Sequence, residues 1–218
     1  RMVSLRGADL RGADLTGADL TNADLTSAKL SNALLTNADL SGADLTSATL
    51  TLANLEGTIF SPETRIDAKW LTVSQLVTNG GADETLLGLD LSGADLSGAD
   101  LSGADLVHAR FVGADLTGAV LAGADLAKAD LSQALLPGAD LSAALLAESI
   151  FDEADLTSAN LSGAVLSGAV VTEANLTKAN LTSADLSDAD FGKATLTGAN
   201  LTSAILTGAD FTDTSMTN

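Results

Sequence analysis

The chain has 218 residues, 46% hydrophobic and 3% aromatic, with no Cys and 10 Lys plus Arg against 29 Asp plus Glu, a formal net charge of −19. That balance excludes a sequence-independent grip on nucleic-acid phosphates and docking on an anionic membrane, since both need clustered cations. Without Cys there are no disulfides, thiolate metal sites or cysteine nucleophile. No apolar run reaches 18 residues and no signal peptide is visible. Arg1 ahead of Met2 reads as an added residue, and a cytoplasmic protein is expected.

From Leu5 to Leu55 every fifth residue is Leu, and Phe60 continues the series. With this central residue as position i, Ala occupies i−2 from Ala8 to Ala53. On a helix, five residues advance a side chain by about 500°, so successive Leu would form no stripe. On a long strand, an odd period alternates the faces. The two apolar positions i−2 and i nevertheless lie two apart, which on a strand means one face. The pattern therefore predicts a short extended piece with i−2 and i inward, then a bend at i+1 and i+2, where Gly, Ser, Thr and Asn collect.

Residues 61–90 break the pattern and shift its phase by one. Ile66, Trp70, Val73 and Val77 are spaced four, three and four apart, which predicts a helix face. Asp67 is its expected N-cap, and Asn79-Gly80-Gly81 its end. Two roles stand open for this insert. It seals the coil where the strands lose register, or it projects as a docking element for a partner.

The second run has 26 centres from Leu91 to Met216, all Leu, Phe, Val or Met, with Ala at i−2 from Ala94 to Ala209 except at Ser149. With 12 in the first run there are 38 repeats. Phe111, Phe151, Phe191 and Phe211 are separated by 40, 40 and 20 residues, so all share one 20-residue register. Twenty residues per turn means four five-residue sides, with an interior column of stacked Phe rings. At about 4.8 Å between strands, 38 repeats would stack to roughly 46 Å. The whole chain is expected to be one domain: a first run over 1–60, the insert over 61–90 and a second run over 91–218.

These units, GADLR, GADLT, NADLT and their like, resemble the pentapeptide repeat family, written A(D/N)LXX, and in particular its Asp-rich members from cyanobacteria. The resemblance covers residues 5–60 and 91–218. It implies an all-β protein: a right-handed, four-sided parallel β-helix, here with a short helical insert. Thr58, Leu89 and Thr214 replace Ala at i−2 and suggest local irregularity.

Chemistry-bearing residues are sparse. His108, the single histidine, sits at a bend, without the second His or Cys that a metal site or a nucleophile pair would need. Of 23 Asp, 18 occupy i−1, the outward residue between the two inward ones. They recur on every side and form no unique cleft for acid–base work. Coil stacking sets Asp19 over Asp39, Asp95 over Asp115 and Asp105 over Asp125, where like charges repel. Lys29 after Asp9, and Arg110 between Asp90 and Asp130, relieve part of this. Thr157, Thr177, Thr197 and Thr217 form a hydroxyl column of the kind an ice-binding face needs, but the other sides are mixed and argue against that role.

No catalytic residue, metal site or cofactor is expected. The leading expectation is a non-catalytic interaction solenoid of unknown protein partner, with Ile66, Trp70, Val73 and Val77 as candidate docking residues. The alternative comes from the resemblance: some members that confer fluoroquinolone resistance act on DNA gyrase as acidic DNA mimics. Twenty-nine acids over roughly 46 Å come close to the charge spacing of about 1.7 Å along duplex DNA. Phe211 and Met216 in the last coil are candidates for an end-to-end homodimer contact.

Overall fold

The computed structural model describes residues 3–217; Arg1, Met2 and Asn218 lie outside the described residues. The chain forms two compact units, Arg1–Asn79 with Gly93–Asp95, and Gly80–Ser92 with Leu96–Asn218.

In both units the outward i−1 residues form isolated parallel bridges to residues twenty further on. In unit 1 these run from Ser4↔Asp24 to Asp39↔Ile59, and in unit 2 from Thr85↔Asp105 to Thr195↔Ser215. Each side is one bridged residue long, so the coil is built of single bridges and turns, with no extended strand among the described residues. The expected twenty-residue turn with four sides is the observed geometry.

One repeat, Ala23–Ser27, shows what holds the coil together. The amide of Asp24 donates back to Val3 O at 2.9 Å, while those of Leu25 and Ser27 donate onward to Asp44 O and Thr46 O at 2.8 and 2.9 Å. Ala23 N closes its turn onto Leu20 O at 3.0 Å. Four of the five amides are thus met by backbone. The fifth, Thr26 N, donates to the Asp24 carboxylate at 3.1 Å. The repeated geometry of the corners comes from a third turn residue with φ near +60°, the mark of a type II turn, with the Ser61–Thr64 turn as an exception. Gly7 adopts it freely at 65°, whereas Leu52 and Ala143 hold it at 54° and 55° against their Cβ.

Inward, the i and i−2 columns make the core. Leu25 to Leu40 and Leu101 to Leu146 are fully buried together with the Ala between them. Ala is the residue that fits beside four Leu per turn, because a larger side chain would overfill the axis. Threonine at i−2 has its hydroxyl satisfied by backbone: Thr58 and Thr214 donate to Leu35 O and Phe191 O, both at 3.0 Å. Ser149 donates to Leu146 O at 2.7 Å, so its buried hydroxyl is satisfied. The Phe column is looser than expected. Phe191 and Phe211 stack at 5.1 Å and 14°, while Leu131 and Val171 separate the rings higher up.

The break is shorter than its sequence suggests. One extra residue enters after Phe60, so Arg65 bridges Asp44 at a spacing of twenty-one. Thr64 N closes a turn onto Ser61 O at 2.9 Å, and the Thr64 hydroxyl donates to Leu40 O at 2.9 Å. Residues 61–66 are therefore one more side of the coil. Helix α1, Ala68–Asn79, follows. Coil geometry resumes at Gly81, whose amide donates to Asp100 O at 2.7 Å, and Leu86 is already a buried centre.

Candidate functional site

Asp67 caps α1 as expected: Lys69 N donates to its carboxylate at 3.0 Å. Trp70 and Val73 lie on the buried face with Ser74 and Leu76, and Val77 is half-buried. Ile66 is corrected. It stands before the helix, at the central position of the added coil side, because the extra residue after Phe60 shifts the frame. The helix is fastened to unit 1 by polar contacts at its C-terminal half. Ser74 Oγ donates to Leu55 O at 3.0 Å, and Thr78 Oγ1 accepts from Gly57 N at 2.8 Å. Lys69 Nζ lies 5.0 Å above the Trp70 ring. Beside the ring, a groove of about 480 Å³ is lined by Ala48, Leu50, Arg65 and Ile66 among others.

In the last described coil Phe211 is half-buried on Phe191, and Leu206 and Met216 are exposed. His108 is exposed at a bend with φ 60°. Asp19↔Asp39 and Asp105↔Asp125 are bridged as stacking requires, and Lys29 and Arg110 take their places beside Asp9 and between Asp90 and Asp130.

The outward acids have a role that charge counting missed. Each i−1 carboxylate accepts the i+1 amide of its own repeat, as at Thr16 N to Asp14, Ser102 N to Asp100 and Thr212 N to Asp210, at 3.1, 3.1 and 2.8 Å. Asn serves equally: Thr182 N donates to Asn180 Oδ1 at 3.2 Å. This is an Asx turn, and it gives a physical reason for D or N at that position. At many repeats with Thr or Ser at i+1 the hydroxyl adds a second bond, 2.6 Å from Thr26 Oγ1 to Asp24. These hydroxyl and amide donors hold the carboxyls of Asp14, Asp19, Asp24, Asp100, Asp185 and Asp210 below the ordinary range. Asp9 falls further, to about 2, chiefly because the Arg11 guanidinium bonds it at 2.7 Å. The signal was in the sequence: an Asp or Asn followed two residues later by Thr or Ser. The same bonds occupy the hydroxyls of Thr157 and Thr177, which donate to Asp155 and Asn175 at 2.6 Å.

Comparison with known proteins matches the family described as pentapeptide repeats, in 8 copies over residues 4–42, 23–61, 86–123, 124–163, 159–198 and 179–218. The chain belongs to the pentapeptide repeat family. The fold of that family is the right-handed β-helix, here with one short helix among the described residues. Among solved structures, the chain is similar to HetL, a pentapeptide repeat protein involved in heterocyst differentiation regulation from the cyanobacterium Nostoc sp. strain PCC 7120. The identity is 32% over 96% of this chain and 87% of that one, with a TM-score of 0.35. A pentapeptide repeat protein of the Arabidopsis thaliana thylakoid lumen is 37% identical over 48% of this chain and 69% of that one, with a TM-score of 0.34. QnrB1, a plasmid-mediated fluoroquinolone resistance protein, is 20% identical over 100% of this chain and 93% of that one, with a TM-score of 0.38. No curated protein matches significantly. Among the described residues, no helix is long and apolar enough to cross a membrane.

Proposed function

We propose that this chain is a non-catalytic, protein-binding solenoid. The observation that carries this reading is the commitment of the periodic carboxylates to backbone amides. The residues that acid–base chemistry would need are building corners. What remains outward is a regular display of short side chains on a rigid support, suited to recognition by a protein surface. Helix α1 enters the reading as a seal on unit 1, with Trp70 and Val73 turned inward. Its test is co-elution: the tagged chain, mixed with extract of its source organism, should elute with one protein at fixed stoichiometry. A chain that elutes alone after cross-linking would overturn the reading.

A second reading, a DNA mimic acting on a topoisomerase, draws support from the distribution of charge. Unit 2 carries 19 acidic and 4 basic residues, unit 1 only 10 and 6. A gyrase supercoiling assay decides it, since neither inhibition nor protection at micromolar protein would leave it without basis. Pairing of two copies through Phe211, Leu206 and Met216 belongs to the same proposal. Light scattering should then give about twice 21.7 kDa, and Phe211→Lys should halve it.

A further inference from the structure

Two adjacent sides of unit 2 change character over the same two turns. Down one side the bridged residues are Asp105, Asp125, Leu145, Val165 and Asp185; down the next, Asp130, Ile150, Val170 and Asp190. Leu145, Ile150 and Val170 are 45%, 38% and 36% exposed, and Val165 is half-buried. These side chains point away from the core and fill no interior space. The substitution also gives up a bond. Above and below the patch, Asp125, Asp130, Asp185 and Asp190 accept the amides of Ala127, Ser132, Ser187 and Gly192 at 2.8 to 3.1 Å. An aliphatic side chain cannot accept, so the amides of Ala147, Asp152, Ser167 and Thr172 lack the carboxylate their neighbours have.

We propose that this patch binds an extended protein segment that carries aliphatic residues flanked by Lys or Arg. The inference rests on the protein-binding reading and names the surface and the partner's chemistry. Three features point to that occupant. The four aliphatic side chains lie two on each side of a corner, where Glu148 pairs with Lys128 at 3.5 Å, and match aliphatic anchors beside a charged group. The four rim carboxylates, in a unit with 19 acids and 4 bases, attract cations and repel anions, an anionic bilayer and a second copy included. The four amides without their own carboxylate suit main-chain carbonyls, which a peptide brings alongside its side chains.

The test pans a phage-displayed library of random linear decapeptides on the immobilised full chain. Two quadruple variants serve as controls. L145D/I150D/V165D/V170D installs the residue that neighbouring repeats carry, so it keeps the coil. D125N/D130N/D185N/D190N removes the rim charge and retains the caps, as Asn54 does for Glu56 N at 3.1 Å. Wild-type selection should yield at least two aliphatic residues flanked by Lys or Arg. Binding of those peptides should weaken at least about tenfold on the first variant. On the second it should lose its preference for Lys or Arg and its salt dependence while keeping the aliphatic anchors. Selected sequences without that signature, or equal binding to the first variant, would overturn the proposal. So would sedimentation that shows copies pairing through the patch. If a partner found by co-elution is retained by the first variant, this surface is wrong while the protein-binding reading stands. If neither chain elutes with a partner, that reading fails.

Discussion

Unit 1 and unit 2 obey one geometry with different regularity. Unit 2 keeps a spacing of twenty from Thr85↔Asp105 to Thr195↔Ser215, whereas unit 1 slips to twenty-one at Asp44↔Arg65 and then leaves the coil for α1. Unit 1 has 6 basic residues against 10 acids, and unit 2 has 4 against 19. The difference teaches that the coil tolerates an inserted residue at a corner, because each side is tied by its own few amides. A helix can even replace a side, provided it brings its own apolar face and hydroxyl partners. Regularity therefore concerns surface display more than stability, and the unit with the unbroken register is the one with concentrated charge.

The largest expected effect strikes the shared core. Leu106 is fully buried, and Leu106→Asp should cost more than about 4 kcal/mol by placing a carboxylate among Leu and Ala. Urea unfolding should show the loss. The matching change in unit 1, Leu30→Asp, should be equally severe if the two units rely on one kind of core. A mild effect in either would break the comparison.

Next comes the element that only unit 1 has. Trp70→Ala should cost about 3 kcal/mol by opening a void under α1. Hydrogen exchange should rise in residues 44–79 and stay unchanged in unit 2. In the wild type, Trp70 emission should be blue-shifted and weakly quenched by iodide. An effect that spreads evenly through both units would contradict the local fastening by Ser74 and Thr78.

A smaller effect sharpens the account of the corners. Asn180 accepts the Thr182 amide and hydroxyl and donates Nδ2 to Asn160 Oδ1 at 3.0 Å. Asn180→Ala should cost about 1 kcal/mol, and Asn180→Asp much less, because Asp retains the acceptor. Equal loss for both variants would assign the stability to the Asn160 contact instead of the turn.

Much of this was legible in the sequence. The period of five, the inward Ala and Leu, the twenty-residue turn from the Phe spacing and the Asp67 cap all follow from residue identity. The spacing draws Ile66 onto the helix face because Thr64-Arg65-Ile66 lacks the A(D/N)L letters. Its backbone makes the same bridge, and bridging depends on amide positions more than on side chains. Leu86 was missed likewise, since Glu84 and Thr85 stand where Ala and Asp are usual. The Asp columns were seen as charge because their other role needs the i+1 amide, which a sequence of side chains leaves implicit. The aliphatic patch becomes visible only when residues twenty apart are set side by side.

The smallest expected effect is acid dependence, and its sign separates two forces on the same carboxylates. Donors from Thr or Ser two residues on, first the hydroxyl and then the amide, lower Asp14, Asp19 and Asp24 in unit 1 and Asp100, Asp185 and Asp210 in unit 2. Their folded values lie below the unfolded value of about 3.8 to 3.9. The unfolded chain therefore takes up protons first as pH falls. The stability these groups contribute is complete above about pH 5 and is lost as pH descends through the folded values. Repulsion between bridged pairs such as Asp24↔Asp44 acts oppositely, since protonation relieves it, and it is the last of the causes acting on Asp24. The melting temperature should thus stay level from about pH 7 to pH 5 and fall below about pH 4. Unit 1 should hold part of its share longer, because Asp9 beside Arg11 remains ionised down to about 2. Thr26→Val removes the leading donor and should raise the Asp24 midpoint in a carbon-detected NMR titration. A melting temperature that climbs between pH 5 and pH 3 would show that repulsion outweighs the turn bonds. It should then climb further in unit 2, where 19 acids face 4 bases.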